Sequence, residues 1–172
     1  FDYYYGIPYS NDMDRPYCPL PLMEQEEVIV APVGHDSLTI RYTNKTVEFI
    51  KSHKEQPFFI YLCHNMTHNP LAASPAFKGK SQNGLYGDAT EELDWSMGVL
   101  LETLKEEGLD QNTLIIFTSD NGADEHFGGT NRPLRGQKGT TYEGGFRVPC
   151  IMRWPAKIPA GQETDNLVAS ID

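Results

Sequence analysis

The stretch Leu114-Ile-Ile-Phe-Thr-Ser-Asp-Asn-Gly122 decides how the rest of the chain is interpreted. Its first five residues are apolar or β-branched, and they run directly toward a carboxylate, an amide and a glycine. This order is typical of a buried parallel strand that delivers Asp120 and Asn121 to its carboxyl end, where open α/β sheets bind their ligands. Two neighbouring oxygen ligands can share one face of a divalent cation such as Ca²⁺. Asp-Asn-Gly is also a common turn, so spacing alone leaves both interpretations open.

The composition limits the kinds of partner that the chain can bind. Of its 172 residues 39% are hydrophobic, and no apolar run approaches the roughly 20 residues of a membrane span. The net charge is −10, and the 14 lysines and arginines are scattered along the chain. Because nucleic acids bind to basic surfaces, this charge argues against a nucleic-acid partner.

The three cysteines, Cys18, Cys63 and Cys150, lie far apart in the sequence. They form no Cys-x-x-Cys pair, so they predict neither a zinc site nor a disulfide framework. Cys63 and Cys150 stand among strand-like apolar residues and are expected to be buried.

A chain of 172 residues can bury one sizeable core, so it is expected to be one domain or part of one. It begins without Met and stops where a new apolar pattern begins, which we interpret as an internal piece of a larger protein. Residues 1–35 are rich in proline and aromatic side chains and predict irregular loop, with one short strand near Val28–Val30. The tyrosines of residues 3–5 can line a groove or pack against a core. Residues 36–172 are expected to form the α/β core.

Two helices are predicted in that core. Apolar positions spaced for one helical face indicate a helix from about residue 38 to residue 54. Asp88 precedes Glu91 by three positions, which is the pattern of a capping box, and predicts the start of a second helix. Gly108 follows the last apolar residue of this helix and is expected to end it.

Short apolar runs predict three strands, over residues 58–63, 114–118 and 146–154. The first two strands are separated by the long helix, which is the order of a βαβ crossover. They should therefore be parallel, with their polar carboxyl ends at the same edge of one sheet. This arrangement brings His68 toward Asp120 and Asn121.

Several blocks of the sequence resemble the type I sulfatases in order and spacing. The blocks are Phe58-Phe-Ile-Tyr-Leu62, the loop that ends in His68-Asn-Pro70, the helix at Tyr86-Gly-Asp88, Phe117-Thr-Ser-Asp-Asn-Gly122, and Gly136-Gln-Lys-Gly-Thr-Thr-Tyr-Glu-Gly-Gly145. The resemblance covers nearly the whole chain and looks closest to the arylsulfatase A and N-acetylgalactosamine-6-sulfatase group. It implies an alkaline-phosphatase-like α/β fold, a mainly parallel sheet flanked by helices, and hydrolysis of a sulfate ester of an aryl or carbohydrate substrate.

The resemblance assigns roles to four residues. Asp120 and Asn121 match the second pair of Ca²⁺ ligands. Lys138 matches a lysine that contacts the sulfate and the bridging oxygen, and His68 matches a histidine beside the same leaving oxygen. A cation and a lysine can neutralise charge that grows on the sulfate, and a histidine can protonate the departing alkoxide. His64 either supports these groups or has a structural role.

The resemblance also implies groups that this chain does not contain. Type I sulfatases use a formylglycine, made from Cys or Ser in a Cys-x-Pro-Ser-Arg motif or a similar one, whose hydrated aldehyde attacks sulfur. Cys18-Pro-Leu-Pro21 does not match that motif. We expect the formylglycine, the first acidic metal pair and an arginine to lie upstream of Phe1. The fragment alone should therefore be inactive and bind Ca²⁺ poorly, and it depends on the remainder of the parent chain.

Two other functions remain open. A phosphatase or phosphodiesterase of the same superfamily would use a Ser or Thr nucleophile, and a non-catalytic relative would bind only an anion or Ca²⁺. The block that ends at Gly145 favours the sulfatase. By family analogy the protein is expected outside the cytoplasm, in the periplasm, the lysosome or the extracellular space.

Overall fold

Residues 1–35 form a small antiparallel sheet rather than the expected irregular loop. In the computed structural model, which describes residues 1–169, strand β1 (Tyr5–Gly6) pairs with β2 (Leu22–Glu24), and β2 pairs with β3 (Glu27–Val30). The short strand predicted near Val28–Val30 is confirmed by β3. The turn between β2 and β3 holds Gln25 at a φ of 54°, where glycine or asparagine is the usual signal. Because Gln25 is not such a residue, the sequence does not predict this hairpin.

Tyr3 and Tyr5 pack against the chain rather than lining an open groove, whereas Tyr4 is exposed. Tyr3 donates a hydrogen bond to the Glu24 carboxylate, and its ring stacks on Phe49 at 6.0 Å between ring centroids. Tyr5 meets the ring of Tyr42 edge to face. These contacts attach the small sheet to the first long helix.

Two long helices form the centre of the structure. Helix α1 (Leu38–His53) agrees with the predicted helix over residues 38–54. Helix α2 (Gly84–Glu106) begins before Asp88, so the predicted capping box at that residue is wrong. The end of α2 agrees with prediction, because Gly108 adopts a φ of 72°, a conformation that glycine reaches without a steric penalty.

The apolar core consists of two clusters along the helices. One joins the small sheet to the start of α1 and contains Leu20, Leu22, Val33, Leu38 and Tyr42. The other lies between the ends of the helices and contains Ile50, Leu100 and Leu104. Partly buried side chains of the extended segment 58–63 complete the second cluster, so this segment and the helices form two packed layers.

The strand pairing differs from the expected mainly parallel sheet. Strand β4 (Ile115–Thr118) pairs antiparallel with β5 (Cys150–Arg153), and every strand pair within residues 1–169 is antiparallel. Residues 58–63 are extended but join no strand ladder in this range. The crossover rule places two strands in one sheet without making them neighbours, which is why the order of elements did not predict their hydrogen bonds.

The third predicted strand is shorter than residues 146–154. Phe146 belongs to a one-turn helix, α3 (Glu143–Phe146), and β5 begins only at Cys150. Pro149 precedes that strand and has no N–H to donate to a ladder, so it marks the natural limit of the pairing.

The cysteines are exposed, contrary to expectation. Along segment 58–63 the side chains alternate, so that Phe58, Ile60 and Leu62 face the helices while Cys63 faces away from them. Cys150 lies on the exposed face of β5, and Cys18 is also exposed. All three are free thiols. No helix within residues 1–169 is long and apolar enough to span a membrane.

We expect Leu100→Ala to lower the free energy of unfolding by about 2–5 kcal/mol, because it removes a side chain that is 7% exposed between α1 and α2 and leaves a cavity. Urea denaturation of the intact protein measures this change. Leu85→Ala on the same helix is the control, since Leu85 is 37% exposed and little apolar burial is lost. Equal losses in the two variants would contradict the assigned core.

Candidate active site

Strand β4 leads to Asp120 and Asn121, as its sequence predicts, but within residues 1–169 the strand is mostly exposed rather than buried. The strand ends at Thr118, and within residues 1–169 the side chains of Asp120 and Asn121 make no hydrogen bond or ion pair. The Asp120 carboxylate lies on the side of segment 58–63. There it helps to raise the pKa of Tyr61, after the larger effect of the hydrogen bond between Tyr61 and the Cys63 thiol. Both oxygen-bearing side chains are therefore free to bind a ligand.

The loop after β4 is joined to the loop that carries Lys138. The backbone N–H of Lys138 donates to the carbonyl of Ala123 at 3.1 Å, two residues after Asn121. Gly122 N–H donates to the carbonyl of Gly145 at 2.9 Å, which joins the far end of the same loop. The structure thus brings Lys138 to the loop that holds Asp120 and Asn121.

Close backbone approach explains the glycines of this loop. A Cβ added at Gly122 would lie 1.8 Å from the carbonyl oxygen of Gly144, and one added at Gly144 would lie 2.2 Å from the carbonyl oxygen of Gly136. Neither contact can be relieved by moving a flexible side chain. Gly122 and Gly144 are therefore required by the close approach of backbone atoms.

Tyr142 and Glu143 brace the loop that carries Lys138. The Arg135 guanidinium lies 3.8 Å from the centre of the Tyr142 ring and donates to its hydroxyl at 2.7 Å. Glu143 begins helix α3 and lies 3.7 Å from the Arg147 guanidinium. These contacts hold the turn that follows Lys138.

His68 lies on the loop after segment 58–63, and its ring is oriented by its own backbone. Nδ1 is 2.7 Å from the carbonyl oxygen of Asn69, which can only accept, so Nδ1 carries a proton. Nε2 is left available for a substrate. The His68 N–H also donates to the carbonyl of Asn65 at 2.9 Å, which closes a tight turn.

Two residues of the N-terminal segment, Asn11 and Asp12, lie close to the His68 loop. Asn11 is 1% exposed and donates from Nδ2 to the carbonyl of Pro70 at 3.4 Å, which attaches the N-terminal segment to the His68 loop. The Ser10 hydroxyl, followed by the charge of His68, lowers the pKa of the Asp12 carboxyl. In the sequence, the contact between this segment and the His68 loop is indicated only by the polar residues 10–12, which interrupt an otherwise aromatic segment.

A buried polar stripe on α2 fixes the chain that follows His68. The stripe consists of Asp88, Glu92 and Ser96, which recur every four residues and are each no more than 2% exposed. The Asp88 carboxylate accepts three backbone hydrogen bonds from residues 79–81, at 2.7, 3.1 and 2.8 Å, and these hold its pKa below the usual range. Glu92 accepts from the backbone N–H of Ser74 at 3.0 Å.

The third member of the stripe holds His64. Ser96 Oγ lies 3.2 Å from His64 Nε2 and 2.7 Å from the hydroxyl of Thr43 on α1. Burial lowers the pKa of His64 to about 4, so its imidazole is neutral at pH 7. The structure favours a structural role for His64, as an anchor of the His68 loop.

The residues present can supply part of a Ca²⁺ site. Asp120 and Asn121 offer the hard oxygen donors that Ca²⁺ prefers, and neither side chain is occupied by a protein partner within residues 1–169. Residues 1–169 contain no group of three or more His, Cys, Asp or Glu side chains that could hold a metal ion. Because Ca²⁺ takes six to eight oxygens, the two donors fit the ion but do not complete its coordination.

Comparison with known proteins gives the class of the chain. A family model described as Sulfatase matches residues 1–172, and the chain belongs to that family. The steryl-sulfatase of Homo sapiens is 43% identical over 159 residues, which are 88% of this chain and 27% of the relative. The N-acetylgalactosamine-6-sulfatase of Canis lupus familiaris is 41% identical over 154 residues, covering 86% of this chain and 30% of the relative. The chain thus spans less than a third of these relatives.

Solved structures confirm the α/β sulfatase fold. A PsFucS1 sulfatase from Pseudoalteromonas sp. matches with a TM-score of 0.83 and 33% identity, over 94% of this chain and 39% of that one. Ps i-CgsB in complex with k-i-k-neocarrahexaose matches with a TM-score of 0.77 and 33% identity, over 94% of this chain and 41% of that one.

We expect Asp88→Ala to loosen the segment that leads from the His68 loop into α2, because three backbone N–H groups lose a charged acceptor. Hydrogen exchange of the amides of residues 79–81 should become faster, and the melting temperature should fall. Asp94→Ala is the matched control, since Asp94 lies on the exposed face of the same helix. Unchanged exchange in Asp88→Ala would rule out this anchoring role.

We expect stability to fall when the pH is lowered from 6.5 to about 4, because His64 has an ordinary pKa of 6.5 but a pKa of about 4 in the fold. In that window the unfolded chain binds a proton that the folded chain does not, so unfolding is favoured by about 3 kcal/mol at the acid end. Below pH 4 both states carry the proton and this contribution changes no further.

Denaturation curves at several pH values measure the effect. His64→Gln removes the titrating group, so the fall in stability between pH 6.5 and 4 should be smaller in this variant. An identical pH dependence in both proteins would show that His64 is not responsible.

Proposed function

We propose that the intact protein hydrolyses sulfate esters. The chain belongs to the sulfatase family, but it covers less than a third of the relatives reported above, so the activity of the whole protein is an inference. The observation that carries the inference is the hydrogen bond from Lys138 N–H to the Ala123 carbonyl, at 3.1 Å. This bond joins the loop of the cationic Lys138 to the loop of Asp120 and Asn121, which can bind a cation. Two positive charges beside one another are what the binding of an anionic ester requires.

Lys138 is proposed to bind the sulfate and the bridging oxygen. Its side chain is exposed, and the left-handed backbone at Gly139, with a φ of 81°, turns the chain directly after it. As the sulfur–oxygen bond breaks, negative charge grows on the bridging oxygen. A fixed ammonium group stabilises that charge more strongly in the transition state than in the bound ester, which is how it accelerates the reaction.

His68 is proposed to protonate the leaving group. Nδ1 is engaged by the Asn69 carbonyl, so Nε2 is the nitrogen that can approach a substrate. In the imidazolium form Nε2 donates its proton to the departing alkoxide, and the alcohol leaves. This role requires His68 to converge with Asp120, Asn121 and Lys138 on one ester, and that convergence remains a prediction.

Asp120 and Asn121 are proposed as two of the ligands of a Ca²⁺ ion whose other ligands lie outside residues 1–169. When bound, the ion would supply positive charge to the sulfate oxygens. The attacking formylglycine is likewise expected elsewhere in the intact protein, by family resemblance. The same resemblance supports a location outside the cytoplasm.

We expect Lys138→Ala to lower the turnover number for nitrophenyl sulfate by about a hundredfold to a thousandfold, with little change in melting temperature, because one group that stabilises the transition state is removed. His68→Ala should lose less on this activated ester than on an alkyl sulfate, whose leaving group depends more on protonation. Lys105→Ala is the control, since its side chain is 70% exposed on α2. Full activity of Lys138→Ala would show that the assigned role is wrong.

A further inference from the structure

An open cleft of about 570 Å³ lies beside the proposed catalytic loop. This volume is within the range of about 300–1,000 Å³ that is usual for small-molecule sites. The cleft is lined by Glu125, His126, Arg132, Leu134, Gly136 and Gln137. Two of these residues directly precede Lys138 in the chain, so the cleft borders the position where the ester is proposed to bind.

The walls of the cleft are fixed by contacts behind them. The Asp124 carboxylate accepts from the His126 ring at Nδ1, at 2.8 Å, and from the His126 backbone N–H at 3.1 Å. Asn131 is paired with Ala123 through both atoms of its amide, at 2.7 and 2.8 Å, which fixes the backbone next to Arg132. The loop from 123 to 132 is therefore held by side chains that do not themselves line the cleft.

The groups that face the cleft have unused hydrogen-bonding capacity. Gln137 uses its Oε1 to accept from the Glu125 backbone at 3.1 Å, which leaves its NH₂ group free to donate. The Arg132 guanidinium forms no ion pair or hydrogen bond within residues 1–169. With His126 Nδ1 bound to Asp124, the opposite ring nitrogen, Nε2, is also available.

Asp124 connects the wall of the cleft with the Lys138 loop. The pKa of the Asp124 carboxyl is lowered, first by its hydrogen bonds from His126 and also by the charge of Lys138. Asp124 contacts His126 directly, and the backbone of Lys138 is hydrogen-bonded to Ala123, the residue before Asp124. The cleft therefore borders the residue that is proposed to hold the sulfate.

We propose that this cleft is a subsite for the sugar that adjoins the reacting sulfate, so that the substrate is a sulfated carbohydrate; the proposal rests on the sulfatase function proposed above. Hydroxyl groups both donate and accept hydrogen bonds, and the cleft offers donors at Arg132 and Gln137 and acceptors at Glu125 and at Nε2 of the neutral His126 ring. A sterol would need an apolar wall, whereas Leu134 is the one large apolar side chain among the lining residues.

The charges of the cleft add a preference within the carbohydrates. Arg132 is a planar cation that pairs well with carboxylate and sulfate groups. A sugar that carries a second anionic group near the reacting ester should therefore bind better than one that carries a single sulfate. Arg132 is the residue that would contact this group, while His126 Nε2 would accept a hydrogen bond from a sugar hydroxyl.

The test compares substrates of different size in the intact enzyme. The probes are nitrophenyl sulfate, which is too small to fill the cleft, a steryl sulfate, N-acetylgalactosamine 6-sulfate and sulfated carrageenan oligosaccharides. We expect Arg132→Ala and His126→Ala to lower kcat/KM for the best sugar sulfate by about tenfold to a hundredfold, mainly through KM, because each loses a charged or polar contact. Hydrolysis of nitrophenyl sulfate should change less than about twofold.

Two controls make the outcome specific. Arg132→Lys should restore part of the loss because it retains the charge, and Lys105→Ala should leave all substrates unaffected because its side chain is exposed on α2. Sugar sulfates should also inhibit nitrophenyl sulfate hydrolysis competitively, and more weakly in Arg132→Ala.

The outcomes separate the two proposals. One outcome is that the enzyme hydrolyses nitrophenyl sulfate while Arg132→Ala and His126→Ala keep the wild-type kcat/KM for every ester and the wild-type inhibition by sugar sulfates. In that case the proposed subsite is wrong and the sulfatase function stands. Preferential hydrolysis of the steryl sulfate would also overturn the subsite. If no sulfate ester is turned over, the proposed function fails and the subsite fails with it.

Discussion

The hydrogen bonds accepted by the buried carboxylates of α2 are the constraint on which the loop around the proposed site depends. Asp88 and Glu92 together accept four backbone hydrogen bonds from the chain between His68 and the helix. Apolar packing would allow that chain to slide along the helix, because such contacts have little directionality. Carboxylates that accept hydrogen bonds from particular N–H groups hold the chain in one position along the helix. Ser96 fixes His64 in the same way, through a hydrogen bond.

The two sides of the proposed site are held in different ways. The side that contains His68 is fixed by polar side chains of a long helix, whose own position is set by the apolar cluster around Leu100. The side that contains Lys138 is fixed by backbone contacts within a glycine-rich loop. In both cases other groups make most of the structural hydrogen bonds, which leaves His68 Nε2 and the exposed Lys138 side chain available.

Elements with strong local signals could be predicted from the sequence. The apolar period of α1 predicted the extent of that helix, and Gly108 predicted the end of α2. The apolar run into Asp120 predicted strand β4, although the strand is exposed and antiparallel rather than buried and parallel. The start of α2 was wrong because Asp88 followed by Glu91 has the spacing of a capping box, while its real partners lie in the preceding loop. A local pattern cannot reveal which distant N–H groups a carboxylate will accept from.

Pairing between distant segments was the other feature that the sequence could not supply. Nothing in residues 58–63 or 114–118 specifies that β4 should pair with β5 in antiparallel register, since both runs are simply apolar and extended. The contact of Asn11 with the His68 loop joins positions 59 residues apart and depends on one amide. For the site, the sequence identified the residues that the family resemblance requires, whereas the cleft beside Lys138 became visible only when the loop was folded.

The glycines of the loop have a consequence for how such chains are recognised. They are required because backbone atoms approach where a Cβ would stand, and this requirement is independent of any reaction. A descendant of this protein could replace Lys138 and still need Gly122 and Gly144 to fold the loop. The sequence block by which the family is detected therefore reflects the backbone shape of the loop. Family membership inferred from this block does not by itself distinguish an active hydrolase from a relative that has lost its catalytic residues.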